Sequence, residues 1–315
     1  MNFKSFAACF LALALCVPAA AGAADQWKPK KAVTIMTPTP AGSSGDMILR
    51  AGMNELKAAF GTAVVVSPTP GGQNTQLITK MMSSPRDGST IIVHGSPRIC
   101  LANIFREDPF KYEELRPLLG GWRTNTLFVT KPGSGDFKAF VEKAKANPGK
   151  LNVGVMGVPT GYHGLVMAAW AKELGFEVTI VPFQGAGPVV SAILGGHIDA
   201  GFIEQPNSAV EPILLVSGKT DIPDLQNVPT PADLGLPEPL MTNYNGFFVP
   251  ADLPEEIVSG LESILIEALK SEEMKKVAAS FYVTIAPLAG AEYGKWLDGV
   301  RQKALDLKAS GAVKF

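Results

Sequence analysis

The chain has 315 residues, of which 46% are hydrophobic and 18% are charged. A single hydrophobic core seldom grows past roughly 250 residues, so the length predicts two domains. The composition excludes a disordered chain and a polytopic membrane protein. The formal net charge is −1 and no basic cluster is present, which argues against nucleic acid as a partner.

The first 24 residues have the pattern of a secretory signal peptide. Lys4 precedes an apolar run over 6–17, and small residues follow over 18–24. The apolar run is short for a membrane-spanning helix, which needs ~20 such residues. Cys16 does not follow a small residue, as a lipoprotein site requires. We therefore predict cleavage after residue 23 or 24 and a soluble exported protein.

The cysteines and histidines do not suggest a reactive or metal centre. Removal of the signal peptide leaves Cys100 as the single cysteine, so we expect no intrachain disulfide. Its apolar neighbours predict a small buried residue. His94, His163 and His197 are too scattered for a metal site. We also expect no cofactor, because no dinucleotide fingerprint is present.

Short apolar runs alternate with amphipathic segments of helix length. This is the pattern of parallel sheets covered by helices, so the predicted fold class is α/β. Strands are predicted over 33–36, 63–66, 90–94, 127–130, 151–155, 178–181, 200–203 and 247–249.

Four of the predicted helices follow turns rich in Gly, Pro and Thr. The first helix has apolar residues on one face from Leu49 to Phe60, and Ser43 with Asp46 predicts a capping box at its start. The other three helices are predicted from about 74 to 82, from 162 to a stop at Gly175, and from 189 to a stop at Gly195.

These four turns indicate a function. In open parallel sheets, ligands bind outside the carboxyl ends of the strands. The first N–H groups of a helix are unpaired donors with a partial positive charge, so an anion can bind there without a lysine. The hydroxyls of Thr39, Ser43 and Ser44 can add donors. The alternative, that such turns are ordinary in any α/β protein, stays open.

Six segments, in order, resemble the extracytoplasmic solute receptors of tripartite tricarboxylate transporters, the Bug or TctC family. The sequence PTPAGSSGD over 38–46 is similar to the PFxxGGxxD loop of that family. The other five similar segments lie at 70–72, 85–93, 147–152, 181–199 and 227–237.

The resemblance implies a periplasmic binding protein of the type II-like fold. Two α/β domains would be joined by two crossing strands, near 127–131 and 241–247, with a ligand cleft between them. Domain one would combine 25–128 with 246–315, and domain two would be 129–245. The resemblance also implies that these domains close on the ligand.

The implied function is capture of an organic carboxylate, mono- or dicarboxylate and aromatic ones included, for delivery to a membrane permease. The protein would be a periplasmic monomer and no enzyme. A sensory receptor for a membrane signalling protein is the alternative, and an exported α/β hydrolase is disfavoured because the Gly-x-Ser-x-Gly elbow is absent.

The resemblance also implies the ligand-binding residues on both sides of the cleft. Met156, Val158 and Pro159 make the second side more apolar than is usual for the family, which predicts a larger or less polar ligand. Arg98 and Arg123 are expected to pair with surface acids, although either could bind a carboxylate. The predicted residues are Thr39, Ala41, Gly42, Ser43, Ser44, Asp46, Gly95 and Ser96 on the first side, and Gly157, Thr160, His163, Gln184 and Glu204 with the second.

Overall fold

The computed structural model describes residues 27–72 and 75–311. The predicted signal peptide, with Cys9 and Cys16, lies outside these residues. Two sheets organise the described chain, and helices pack on both faces of each. The predicted α/β fold class is therefore confirmed.

The larger sheet has six strands in the order β11-β4-β10-β3-β1-β2. Strands β1, β2 and β3 are parallel, whereas β10 and β11 pair antiparallel with their neighbours. The strands are β1 (Val33–Thr37), β2 (Val64–Pro68), β3 (Thr90–Gly95), β4 (Leu115–Thr124), β10 (Asn243–Pro250) and β11 (Val283–Ala289), and the helices are α1 (Ser44–Ala51), α2 (Met53–Phe60), α3 (Gln76–Met82), α4 (Ser96–Cys100), α8 (Glu255–Ala268), α9 (Glu272–Ser280) and α10 (Gly290–Ala309).

Alternation along the strands sends side chains into two separate cores. Ile35 packs with α1, α2, α8 and α9, while the next residue, Met36, packs with α3, α4 and α10. In the same way, Phe247 packs in the core that contains Ile35, and Phe248 packs in the core that contains Met36. Because successive strand residues point to opposite faces, this pattern puts the two helix layers on opposite sides of the sheet.

The smaller sheet has five strands in the order β7-β6-β8-β5-β9. Phe128 and Phe202 pack against α5 and α6 on one face, and Val129 and Ile203 pack against α7 on the other. The elements are β5 (Leu127–Thr130), α5 (Phe137–Ala146), β6 (Asn152–Met156), α6 (Tyr162–Leu174), β7 (Thr179–Phe183), α7 (Ala186–Leu194), β8 (Ala200–Ile203) and β9 (Glu211–Leu215).

The register of the strands places one edge of the larger sheet next to one edge of the smaller sheet. The carboxyl ends of β1, β2 and β3 share one edge of the larger sheet, here called the β1–β3 edge. The carboxyl ends of β6, β7 and β8 share the β6–β8 edge of the smaller sheet. β4 ends at the first edge and β5 begins at the second, with only Asn125 and Thr126 between them. The region between the edges is called the crevice below.

All eight predicted strands are present, but the start of the first helix differs from the prediction. A break at Gly52 divides the predicted helix into α1 and α2. The predicted capping box is wrong, because Ser43 makes no side-chain bond to the helix N-terminus. Asp46 accepts instead from the N–H of Gly42, one residue before the N-cap.

The prediction missed β4, β9 and β11, each of which contains a proline. Pro117 and Pro287 lie at register shifts, where a strand tolerates the missing N–H.

Sheet membership assigns Leu127 and Phe128 to the smaller sheet and 243–245 to the larger one. The domain boundaries, which lie a few residues from these changes, stay a prediction.

Candidate functional site

The loop after β1 is held by side chains within the predicted site. The hydroxyls of Thr39 and Ser43 are 2.6 Å apart, and the N–H of Gly42 donates to the Asp46 carboxylate at 2.9 Å. Gly42 has φ of +83°, a conformation that favours glycine. Ala41 and Gly42 are exposed, and Thr39, Ser43 and Ser44 are half-buried. The loop therefore presents its backbone at the β1–β3 edge.

Asp46 is neutralised by a cation on its own helix. Its side chain is buried, and Arg50 Nε donates to both carboxylate oxygens, at 3.0 and 2.9 Å. Burial raises the pKa of Asp46, but the hydrogen bonds from Arg50 and Gly42 outweigh it, so the pKa is lowered. Asp46 thus orders the loop as a paired carboxylate, and its charge is compensated before any anion arrives.

The turn between β3 and α4 is fixed to the start of β10. Ser96 is fully buried, its hydroxyl donates to the carbonyl of Thr242 at 3.0 Å, and it accepts from the N–H of Tyr244 at 3.1 Å. A Cβ on Gly95 would meet the side-chain oxygen of Asn243 at 3.0 Å. Ser96 therefore positions the second chain crossing, while half-buried Gly95 lies beside Asn243 at the edge.

The loop after β6 carries the predicted residues of the second side. Gly157 is exposed, has φ of +90°, and its N–H donates to the carbonyl of Phe183 at 2.9 Å. Thr160 is half-buried and lines a cavity that spans the crevice. Gln184 is exposed at the end of β7. Gly157, Thr160 and Gln184 therefore lie together at the β6–β8 edge.

His163 lies deeper than its neighbours in this loop. It is 5% exposed, its ring packs against those of Tyr162 and Phe202, and its Nδ1 is 3.5 Å from the carbonyl of Met156. Its Nε2 is buried with no hydrogen-bond partner among the described residues. Burial lowers the pKa of His163 to about 4, so the ring is neutral near pH 7.

Glu204 links the two edges of the crevice. It follows β8, and Asn243 Nδ2 from the start of β10 donates to its carboxylate at 3.3 Å. Nearby, the Tyr162 hydroxyl donates to Thr126 Oγ1 at 3.3 Å, at the first chain crossing. Burial raises the pKa of Glu204, and the bond from Asn243 opposes that shift without cancelling it.

The helix N-termini differ in charge according to their position. The helices α3, α4, α6 and α7, which begin at the two crevice edges, have no acidic residue in the first turn and no side-chain cap among the described residues. In α1, the one acid is the Asp46 paired with Arg50. The remaining helices carry acids at the N-cap or in the first turn, including Glu55, Asp136, Glu255, Glu272 and Glu292.

This difference has an electrostatic consequence. An acid at a helix N-terminus neutralises the partial positive charge of the unpaired N–H groups. At the crevice edges, helices α6 and α7 have no such acid, and the acid of α1, Asp46, is already paired with Arg50. The longer helices α1, α6 and α7 therefore direct uncompensated donors toward the crevice, where an anionic group is favoured.

The two arginines considered from the sequence have different environments. Arg98 Nη2 lies 2.5 Å from Asp108 Oδ1, so Arg98 pairs with an acid as predicted, but the Asp108 side chain is buried and is not the surface acid that was expected. Arg123 instead donates to the carbonyls of Ser217 and Lys219, both at 3.2 Å, so its predicted pairing with a surface acid is wrong. Arg123 thereby fixes the end of β4 to the segment after β9.

Sequence reasoning missed Asn243, Tyr162 and Arg106 as crevice residues. Asn243 contacts Glu204 at the second chain crossing, and Tyr162 contacts Thr126 at the first. Arg106 lines the same cavity as Thr160. The sequence did place Tyr162 at a helix start after a Gly-rich turn, which is the one signal that could have identified it.

Other classes of site find no support in the described ranges. Across 27–72 and 75–311, no group of three His, Cys, Asp or Glu side chains could hold a metal ion. In the same part of the chain, no helix has both the length and the apolar character needed to cross a bilayer. Cys100 is buried and free, and burial raises the pKa of its thiol to about 12.

Comparison with known proteins identifies the family. Residues 48–299 match the model of the tripartite tricarboxylate transporter family receptor. Protein BugT of Bordetella pertussis is 25% identical over 266 residues, which cover 80% of this chain and 80% of that protein.

Two solved structures have the same fold. A TctC solute binding protein from Polaromonas aligns with a TM-score of 0.78 and 18% identity, covering 90% of this chain and 99% of that one. Rpa4515 from R. palustris, solved with adipate, aligns with a TM-score of 0.69 and 21% identity, covering 90% and 98%. The predicted type II-like fold and the predicted Bug/TctC resemblance are confirmed, and the chain belongs to the receptor family of tripartite tricarboxylate transporters.

Proposed function

We propose that this protein captures an organic carboxylate in the crevice and presents it to a membrane permease of the tripartite type. It would do so in the periplasm, after removal of the predicted signal peptide. Its family is one of solute receptors, and a relative of the same fold was solved with adipate, a dicarboxylate. Domain one (25–128 with 246–315) and domain two (129–245) would close over the ligand without changing it chemically.

The observation that carries the proposal is the distribution of acids at the helix N-termini. Helices that begin away from the crevice have acids there, whereas α6 and α7 have none and Asp46 of α1 is paired with Arg50. A carboxylate in the crevice would meet backbone N–H donors from both edges. Each charge-assisted bond contributes about 1.5 to 3 kcal/mol, which offsets the cost of closing the domains.

The proposed ligand-binding residues are those predicted from the sequence, with roles refined by their geometry. Thr39, Ser43, Ser44 and exposed backbone at Ala41 and Gly42 form one side. Gly157, Thr160 and Gln184 form the other, joined by Glu204 at the crossing. Of the remaining predicted residues, Asp46, Gly95 and Ser96 would position these groups, and His163 would pack behind them against Phe202.

The proposal is tested by measuring thermal unfolding and calorimetric binding with a panel of mono- and dicarboxylates. A ligand at 100 times its dissociation constant adds about 2.7 kcal/mol to the free energy of unfolding. We expect at least one carboxylate to stabilise the protein, with no product formed on prolonged incubation. Absence of stabilisation by every carboxylate at millimolar concentration would contradict the proposed function.

A further inference from the structure

The two sheets are bonded to each other at one end of their strand orders. β11 and β4 stand at one end of the larger sheet, and β5 and β9 stand at one end of the smaller sheet. The loops after β1 and β2, and those after β6 and β7, lie at the opposite ends of these orders. Rotation of one sheet about the β4–β5 connection would therefore widen or narrow the crevice.

Asn125, in the β4–β5 connection, joins segments of both sheets. It is 2% exposed, and its Nδ2 donates to the carbonyl of Tyr282 at 2.9 Å and to Thr284 Oγ1 at 3.2 Å. Its Oδ1 accepts from the hydroxyl of Ser217 at 2.9 Å. Because Thr284 belongs to β11 and Ser217 follows β9, one buried amide holds the start of β11 and the end of β9 at the connection.

Tyr282 reaches from the larger sheet into the smaller one. It directly precedes β11, yet its ring packs against the core of the smaller sheet that contains Ile222 and Leu225. Its hydroxyl donates to Asp224 Oδ2 at 3.1 Å. Tyr282 thus makes a third connection between the sheets, which is non-covalent and lies beside the first chain crossing.

The backbone of Tyr282 has a conformation that suits glycine. Its φ is +56°, and its N–H donates to the carbonyl of Ala279 at 2.9 Å, at the end of α9. The helices α2 and α6 end at glycines in this left-handed conformation, Gly61 and Gly175. A bulky residue is disfavoured there and persists where the surrounding contacts fix it. The contacts of the ring with the smaller sheet account for a tyrosine at this helix end.

We propose that Tyr282 is a positioning residue of the crevice, which fixes the angle between the two sheets and limits how far the crevice opens. Its backbone belongs to the larger sheet and is bonded to Asn125, while its ring is held by the smaller sheet. Without the ring, the sheets keep their chain crossings and rotate over a wider range. The inference concerns the ligand-free protein and holds whichever molecule binds.

Pulsed electron paramagnetic resonance on the whole ligand-free protein tests this role. Spin labels are attached to Lys57→Cys on α2 and Glu173→Cys on α6, two exposed helix positions on different sheets. Cys100 is buried and stays unlabelled. We expect a narrow distribution of distances between the labels. Tyr282→Gly, which suits the left-handed backbone and removes the ring, should at least double the width of this distribution.

Tyr282→Asn should broaden the distribution equally, because asparagine also tolerates the left-handed backbone and lacks the ring. Tyr282→Phe should keep it narrow, since this variant retains the ring and loses only an exposed hydrogen bond. Tyr112→Gly is the matched control. Tyr112 also donates to an exposed aspartate, Asp298, but both residues lie with the larger sheet, so the width should not change.

An unchanged width in either folded ring-less variant, Tyr282→Gly or Tyr282→Asn, would refute the role of Tyr282. Equal broadening by Tyr112→Gly would also refute it, because the effect would then follow from a general loss of packing. Thermal unfolding establishes that each variant is folded. Carboxylate binding does not enter the measurement, so this inference and the proposed function can fail independently.

Discussion

Asn243 and Glu204 join the two sheets by a hydrogen bond of 3.3 Å, from Asn243 Nδ2 to the Glu204 carboxylate. Asn243 begins β10 of the larger sheet and Glu204 follows β8 of the smaller one. The contact places an acidic side chain at the crevice beside helix N-termini that favour anions. Ionisation of this half-buried carboxylate is costly, because part of its hydration is lost, and this cost makes its protonation measurable.

We expect Glu204 to make stability decrease with rising pH. Burial raises its pKa in the folded state above the ordinary value of about 4.3. The folded protein therefore binds more protons than the unfolded chain as pH rises from that value, so this residue's contribution to stability falls. Glu204→Gln should remove the fall. Thermal unfolding of both proteins from pH 4 to 8 should show their difference growing above about pH 4.5.

Other acids titrate in the same range, so only the difference between the two proteins is informative. Asn243→Ala provides the complementary variant, because it removes the bond that lowers the pKa of Glu204. It should raise the pKa further, so the decrease in stability should extend to higher pH than in the wild type. A constant difference between wild type and Glu204→Gln across the pH range would contradict the raised pKa.

The alternation of apolar runs predicted eight of the strands because their side chains pack on two covered faces. It could not predict β4, β9 and β11, where prolines lie within the strands. Pro117 and Pro287 are accommodated by register shifts in strand pairing. Such shifts depend on the partner strand, which is distant in sequence, so local propensity gives no sign of them.

The crevice was only partly predictable for a similar reason. The loop at 39–46 has a sequence signal because its glycine and hydroxyls act locally. Asn243 lies at the crevice through its contact with Glu204, and Arg106 through the cavity that it lines with Thr160, and both partners are far away in the chain. The capping box failed because Asp46 has a stronger partner in Arg50, a full cation four residues on.

A carboxylate built into α1 should compete with the ligand. Ser43 is the N-cap residue, with φ of −68° and ψ of 161°, and makes no side-chain bond to the helix. Aspartate is as good an N-cap as serine, so Ser43→Asp should leave the free energy of unfolding within about 1 kcal/mol of wild type. Its negative charge should reduce carboxylate affinity at least tenfold, as measured by calorimetry.

Ser43→Asn separates charge from shape, because asparagine caps helices equally well and is neutral. It should weaken binding much less than Ser43→Asp does. Equal losses in the two variants would mean that the α1 N-terminus does not interact with the ligand through its charge.

His163 should make the protein sensitive to acid. The unfolded chain binds a proton at this residue near its ordinary pKa of about 6.5, whereas the folded protein does so only near 4. Between these values the unfolded chain binds more protons, so stability falls as pH falls, by up to roughly 3 kcal/mol. His163→Leu should lack this fall, as measured by denaturant unfolding from pH 7 to 4.

The same variant tests the position of His163 in the site. Its ring is 5% exposed and packs against Phe202, so leucine should keep carboxylate affinity at pH 7 within about threefold of wild type. A loss of binding in a folded His163→Leu protein would instead assign the ring to ligand contact. Equal acid sensitivity of the two proteins would contradict the lowered pKa.

Gly246 should tolerate no side chain, because β10 passes directly over a buried ring. A Cβ at this position would overlap the ring of Tyr293, which is fully buried and donates its hydroxyl to the carbonyl of Tyr244 at 3.0 Å. Gly246→Ala should lower the free energy of unfolding by about 1 to 3 kcal/mol, the usual cost of overpacking.

Gly299→Ala is the control, since that glycine lies on the exposed face of α10 with nothing within 4 Å of its Cβ position. It should be neutral or stabilising by about 0.5 to 1 kcal/mol. Denaturant unfolding measures both, and equal stability of the two variants would mean that Tyr293 does not fill the space above β10.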